Sequence, residues 1–165
     1  KGFWFQSSFV RAHKIFGSEV TYISGITDFR YYQQLHPRHI LALQFYNQYG
    51  RGDIPFQLLG RLGGANRMRG YYMGRYRDRN YTMLQAEYRF QIYARLGGVV
   101  FFGVGEVAPT INDYYVKYVR TAGGCGLRFK VRKERNINIR LDFGMYDLRF
   151  REDTYGVYFS IMEAF

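Results

Sequence analysis

The chain has 165 residues, a formal net charge of +11, 47% hydrophobic and 20% aromatic residues, and one cysteine. That size suits one domain rather than two, and the apolar content excludes a disordered chain. Cys125 alone excludes an internal disulfide framework, and the lack of any run of 18 apolar residues excludes a transmembrane helix.

Alternation of apolar and polar residues, broken by turn residues, predicts eight strands in chain order. They span about residues 2–13, 19–35, 39–49, 81–96, 97–108, 117–132, 136–150 and 154–165. A long Gly- and Arg-rich segment, 50–79, separates the third from the fourth. Pro37, Pro55 and Pro109 all fall between strands, where a missing N–H does no harm. The segments "KERN" (133–136) and "RED" (151–153) read as short polar hairpins. With no helical period anywhere, the chain is predicted to be all-β, an antiparallel meander.

Each strand has one apolar and one polar face. In the seventh, Ile137, Ile139, Leu141, Phe143 and Met145 oppose Asn138, Arg140, Asp142, Gly144 and Tyr146. In the fourth, Leu84, Ala86, Tyr88, Phe90 and Ile92 oppose Met83, Gln85, Glu87, Arg89 and Gln91. A soluble barrel would turn the apolar face inward; a membrane barrel would turn it out and keep a polar lumen. The mixed charges of the polar face and strands longer than ten residues favour the membrane barrel. So do aromatics near strand ends, namely Trp4, Tyr31, Tyr32, Tyr49, Tyr81, Tyr93, Tyr155 and Phe165, where interfacial girdles belong. A soluble lipid-binding barrel is the alternative fold.

The net charge suggests anionic partners: nucleic acid, phospholipid or lipopolysaccharide. It also fits compensation inside a polar cavity. Basic residues are spread over many strands, often on the polar face, which argues against nucleic acid. His13, His36 and His39 are scattered and no HExxH or CxxC spacing occurs, so no metal or other cofactor is expected. No GxSxG and no Ser/His/Asp grouping on one face is found, so no enzyme activity is expected.

The segment 68–80, MRGYYMGRYRDRN, sets Arg69, Arg75, Arg77 and Arg79 among tyrosines and glycines, with Arg67 just upstream. It reads as a solvated basic loop, a nucleic-acid grip, or a plug held inside something polar. At the other end of the chain, Tyr155, Gly156, Phe159 and the final Phe165 form an alternating strand ending in an aromatic.

These residues carry a resemblance. Leu62 to Phe90, with Met68-Arg69-Gly70-Tyr71 at the place of a [VI]RG[FY] hallmark, resembles the sixth extracellular loop and following strand of the BamA/TamA surface-antigen superfamily. The stretches GGVVFFGVGEVA, VRTAGGCGLRFKV, NINIRLDFG and GVYFSIMEAF resemble its next four strands in order. The likeness covers about 62–165; the first three strands fit by position. The Tyr-rich loop is similar to that of Bacteroidetes members.

The resemblance implies a bacterial outer-membrane β-barrel with its loop folded into the lumen. Arg69 would bond acidic residues of the wall, with Glu87, Asp142 and Glu106 as candidates, and Gly70 would allow a tight turn beside Tyr71. One departure stands out: the strand after the loop strand usually carries an acid after its Phe pair, where this chain has Gly103. The ion pair is then rerouted, or stacking and backbone bonds hold the loop. Tyr155, Gly156, Phe159 and Phe165 would form the C-terminal insertion signal and one side of a lateral seam.

The implied function is insertion or translocation of proteins through that seam. Implied partners are outer-membrane lipid and lipopolysaccharide, client outer-membrane proteins and other complex subunits. A structural or pore-forming barrel subunit without insertase activity is the alternative. The family barrel has sixteen strands, so this chain is expected to form the C-terminal half of one. Lys1 at the start is expected to follow processing or a preceding segment.

Overall fold

The computed structural model describes residues 1–132, 137–147 and 155–165. The expected hairpins at 133–136 and 151–153 lie outside them. Among the described residues there are ten strands: β1 (Gly2–Ala12), β2 (Tyr22–His36), β3 (His39–Gly52), β4 (Gly60–Leu62), β5 (Tyr76–Asp78), β6 (Asn80–Tyr93), β7 (Leu96–Ala108), β8 (Arg120–Arg132), β9 (Ile137–Tyr146) and β10 (Tyr155–Ile161). Eight of them form one antiparallel sheet in the order β1-β2-β3-β6-β7-β8-β9-β10. These eight match the predicted strands to within a few residues, except that the last ends at Ile161 rather than Phe165.

The long basic segment is not free of strand structure. It holds a small hairpin, β4 with β5, which alternation does not reveal because each arm is only three residues long.

The sheet is open. β1 and β10 lie at its two edges and do not pair with each other. The connections 13–21, 53–79 and 109–119 leave from one end of the sheet. The two-residue turns at 37–38 and 94–95 sit at the other.

The burial of the two faces is the reverse of a soluble sheet. The apolar face is exposed along its length: Leu84 is 53% exposed, Val100 52%, Leu141 46% and Phe159 71%. The polar face is covered over β3, β6 and β9, and Gln44, Gln85, Glu87, Arg140 and Asp142 are all buried there, whereas β1 is exposed on both faces. What covers it is the segment after β3 and the residues after β10. The core that results is small and sits under the loop: Tyr46, Leu62, Met68, Tyr71, Tyr81, Met83 and Ala122.

Four of the expected girdle aromatics do not face outward, and one of them, Phe165, lies beyond β10 and is buried. Trp4, Tyr32 and Tyr81 share parity with the covered-face residues of their strands. Trp4 opposes Arg30 in register, Tyr32 opposes Ala42, and Tyr81 is fully buried. Side-chain direction alternates strictly along a strand, so position near a strand end does not decide the face. Tyr93 and Tyr155 are exposed, as expected.

Candidate functional site

The site is built on the covered face, where the loop meets β6 to β10. Register brings six strands into one row: Ala42, Glu87, Phe101, Gly124, Gly144 and Gly156 are successive cross-strand partners. The row thus passes from a carboxylate and an aromatic ring to three glycines. The glycines leave backbone where side chains would stand, and the loop fills that space.

The fit is close. A Cβ added to Gly144 would lie 2.7 Å from the carbonyl carbon of Arg69 and 2.8 Å from its oxygen. Gly70 in turn has φ +120°, and a Cβ there would come within 2.6 Å of the Met145 carbonyl carbon. Both positions need glycine, one for approach and one for conformation as well. Met68 drops its sulfur near Gly103, 3.2 Å from where a Cβ would be. That explains the missing acid at position 103: methionine, not arginine, lies over it.

Arg69 is the centre. Its side chain is fully buried, and so are those of both its carboxylate partners. Nη1 donates to Asp142 Oδ2 at 2.7 Å, and Nη2 donates to Glu87 Oε1. The guanidinium also lies over the Phe101 ring, 3.6 Å from its centroid. A buried cation is tolerable only when its donors are met by opposite charge, and the fork of a guanidinium can serve two carboxylates at once. Ion pairing and ring stacking are therefore both used.

Two of the three candidate acids meet Arg69. Glu106, the third, does not. It shares the parity of Phe102, four residues before it, which puts it on the face opposite Phe101, and it accepts the Tyr115 backbone N–H at 3.0 Å. An even-numbered position on β7 cannot point where Phe101 points.

The carboxylates are shared with other arginines. Arg89 Nε donates to Glu87 Oε2 at 2.8 Å. Arg128 Nη1 donates to Asp142 Oδ1, and Arg140 Nε stands 3.6 Å from Asp142 Oδ2. Arg140 Nη2 also donates to Ala65 O at 2.9 Å and Asn66 Oδ1 at 2.8 Å, pinning the descending arm of the loop. Gln85 Nε2 reaches Asn66 O at 3.0 Å.

Tyr71 closes the site from above. Its ring stacks on Tyr146 at 4.4 Å, and the Arg75 guanidinium lies 4.2 Å from the Tyr146 ring centroid. Burial, reinforced by nearby Tyr76, pushes the Tyr71 hydroxyl up to about 12, so the ring stays neutral. Tyr158 of β10 clips the loop backbone: its hydroxyl accepts Gly70 N–H at 2.9 Å and donates to Tyr71 O at 3.0 Å. Tyr158→Phe removes both bonds and should loosen the loop by about 1–2 kcal/mol. Faster amide exchange at Gly70, with migration of the folded protein unchanged, is the expected result. Unchanged exchange there would rule out the clip.

The seam residues separate. Tyr155 and Phe159 lie on the exposed face, and Gly156 opposes Gly144 on the covered one. Phe165 does not continue their row. The chain turns at Met162, where φ is +71°, and Ala164 and Phe165 are buried on the covered face against Ala42 and Tyr32. Phe165 O accepts from Arg89 Nη2 at 3.0 Å.

Several residues here escape a sequence reading. Phe101, Arg128 and Tyr158 could have been found by parity, since each shares a cross-strand row or its neighbour with Glu87 or Asp142. Glu163 could not, because it follows the strand and its direction depends on the turn at Met162.

A loop arginine clamped between two strand carboxylates over a glycine floor is the arrangement expected from the surface-antigen resemblance. The model of the Omp85 superfamily domain matches residues 1–165. The chain belongs to the Omp85 superfamily. The match takes in the first three strands, which by motif alone had fitted only by position. No curated protein matches the chain. Omp85 proteins are associated with the bacterial outer membrane, where the superfamily assembles or translocates proteins and works with outer-membrane substrates and complex partners.

Proposed function

We propose that this Omp85 domain inserts or translocates proteins at the outer membrane of a Gram-negative bacterium, as a BamA/TamA-type member, through a lateral seam of which β10 forms one side. The observation that carries the reading is the Arg69 clamp on a sheet whose apolar face is exposed. Exposed apolar side chains of this density suit hydrocarbon rather than water. Long connections at one end and two-residue turns at the other suit a barrel whose loops face outside and whose turns face the periplasm.

In this reading the chain supplies eight strands of a sixteen-stranded barrel. Unpaired edges at β1 and β10 support that, because open backbone edges in lipid leave N–H and C=O groups without partners. The chemistry is strand addition: an exposed seam edge pairs with an incoming strand, and no covalent step or cofactor enters. Glycines opposite each other at 144 and 156 remove side chains that would stiffen the seam.

Two measurements test this. The native protein extracted from membranes in detergent should have an intact mass well above 19.6 kDa; a mass near that value would mean a free-standing eight-stranded barrel. Depleting it in cells should lower the folded, heat-modifiable fraction of other outer-membrane proteins. Undiminished folding of those proteins would leave a structural or pore-forming subunit as the better reading.

A further inference from the structure

The covered face holds a second site, at the end with the short turns. A cavity of about 350 Å³ opens there, and its lining includes Arg38, Arg89, Arg95, Arg128, Lys130 and Glu163. Five cations thus face one carboxylate. Arg89 and Arg128 are committed to Glu87 and Asp142 behind them. Among the described residues, Arg38, Arg95 and Lys130 have no side-chain ion pair or hydrogen bond.

One carboxylate already sits in this site, and it belongs to the chain itself. Glu163 Oε2 accepts from Arg128 Nε at 2.9 Å, and its Oε1 accepts from Asn138 Nδ2 at 2.7 Å. Arg89 Nε stands 3.9 Å away. The two carboxylate oxygens are thus met by different donors, one of them a planar guanidinium, which is how a carboxylate is recognised rather than merely neutralised. Glu163 follows the positive-φ Met162, where the chain leaves the sheet.

We propose that Arg128, Asn138 and Arg89 form a carboxylate-binding site that Glu163 holds in cis and that an acidic peptide segment, entering from the short-turn end, takes in trans. Arg38, Arg95 and Lys130 would receive further acidic groups of that segment. A peptide fits better than a lipid headgroup, because the site opens on the polar face. Acyl chains attached to a headgroup would have to cross Gln91, Asn138 and the arginines. The binding claim stands on these contacts, and only the source of the peptide, a protein under assembly, rests on the function proposed above. Glu163 then acts as an internal competitor: its release frees the site, and occupation of the site by another chain releases the residues after β10.

The test uses the full native protein in detergent and a dye-labelled, C-terminally amidated peptide of sequence IMEAF, the chain's own residues 161–165. Glu163→Gln should raise affinity for this peptide about tenfold, the equivalent of one recovered charge-assisted contact. A peptide with Gln in place of its Glu should show no such gain. On the wild-type background, a peptide with a second acid, IMEEF, should bind more tightly than IMEAF, and replacing Arg95 and Lys130 by Ala should abolish that difference, which keeps the test independent of any folding defect in Glu163→Gln. Equal binding of the two peptides, or no binding to a Glu163→Gln protein that keeps its heat-modifiable migration, would overturn the proposal. Displacement by phosphatidylglycerol added as mixed micelles, with no discrimination between the peptides, would overturn it in favour of a lipid site. Client insertion measured on the same variants separates this failure from failure of the assembly reading, since peptide binding is read on purified protein.

Discussion

Arg69→Ala should free the loop from the sheet. The substitution leaves Glu87 and Asp142 fully buried with their shared cation gone. Breaking a buried pair in this way costs about 3–5 kcal/mol, because the remaining charges are uncompensated. Arg89, Arg128 and Arg140 still touch the two carboxylates, so the loss should fall at the lower end of that range. The expected result is a loop between β3 and β6 that is cleaved by added protease, with loss of heat-modifiable migration. Arg69→Lys should recover only part, since an ammonium cannot present two parallel donors to carboxylates on strands three apart in the sheet. A loop equally protected in wild type and Arg69→Ala would show that stacking and backbone bonds suffice.

Gly144→Ala should be nearly as damaging by a different route. Its Cβ would meet the backbone of Arg69 at 2.7 Å and the Gly70 nitrogen at 2.8 Å, and backbone cannot rotate away as a side chain can. Overpacking of this kind costs about 1–3 kcal/mol. The change leaves every charge in place, so it isolates the shape of the floor from the ion pairs. Protease exposure of the loop is again the expected outcome, with the purified sheet otherwise folded. If the loop stays protected, the floor must yield more than its glycine-to-backbone contacts imply. The two variants should not add when combined, because both act on one docking event.

The two tests also separate two layers of inference. The eight main strands were legible because strand faces alternate with period two, and that period is local. Arg69 with Glu87 and Asp142 was legible by resemblance and by parity together: both acids lie on the polar face of their strands. Glu106 failed on parity, although it is an acid of the right strand. Gly103 looked like a lost partner and proved to be the seat of Met68, a role no local pattern announces. The hairpin of β4 and β5 was hidden because three residues are too few to show alternation.

The sequence alone determined the strands and their two faces, because alternation depends on residues adjacent in the chain, while the arginine that enters the covered face was implied by the resemblance of its loop to the surface-antigen family. Tertiary structure alone decided which partners that arginine takes, because partners across strands depend on register. Met83 pairs with Gly105 and Glu87 with Phe101 only in the register observed, and a slip of one residue would turn every acid to the other face. It also decided the place of Glu163 and Phe165. A single positive φ at Met162 sends them under the sheet rather than along β10, and the chain's pattern carries no trace of that turn.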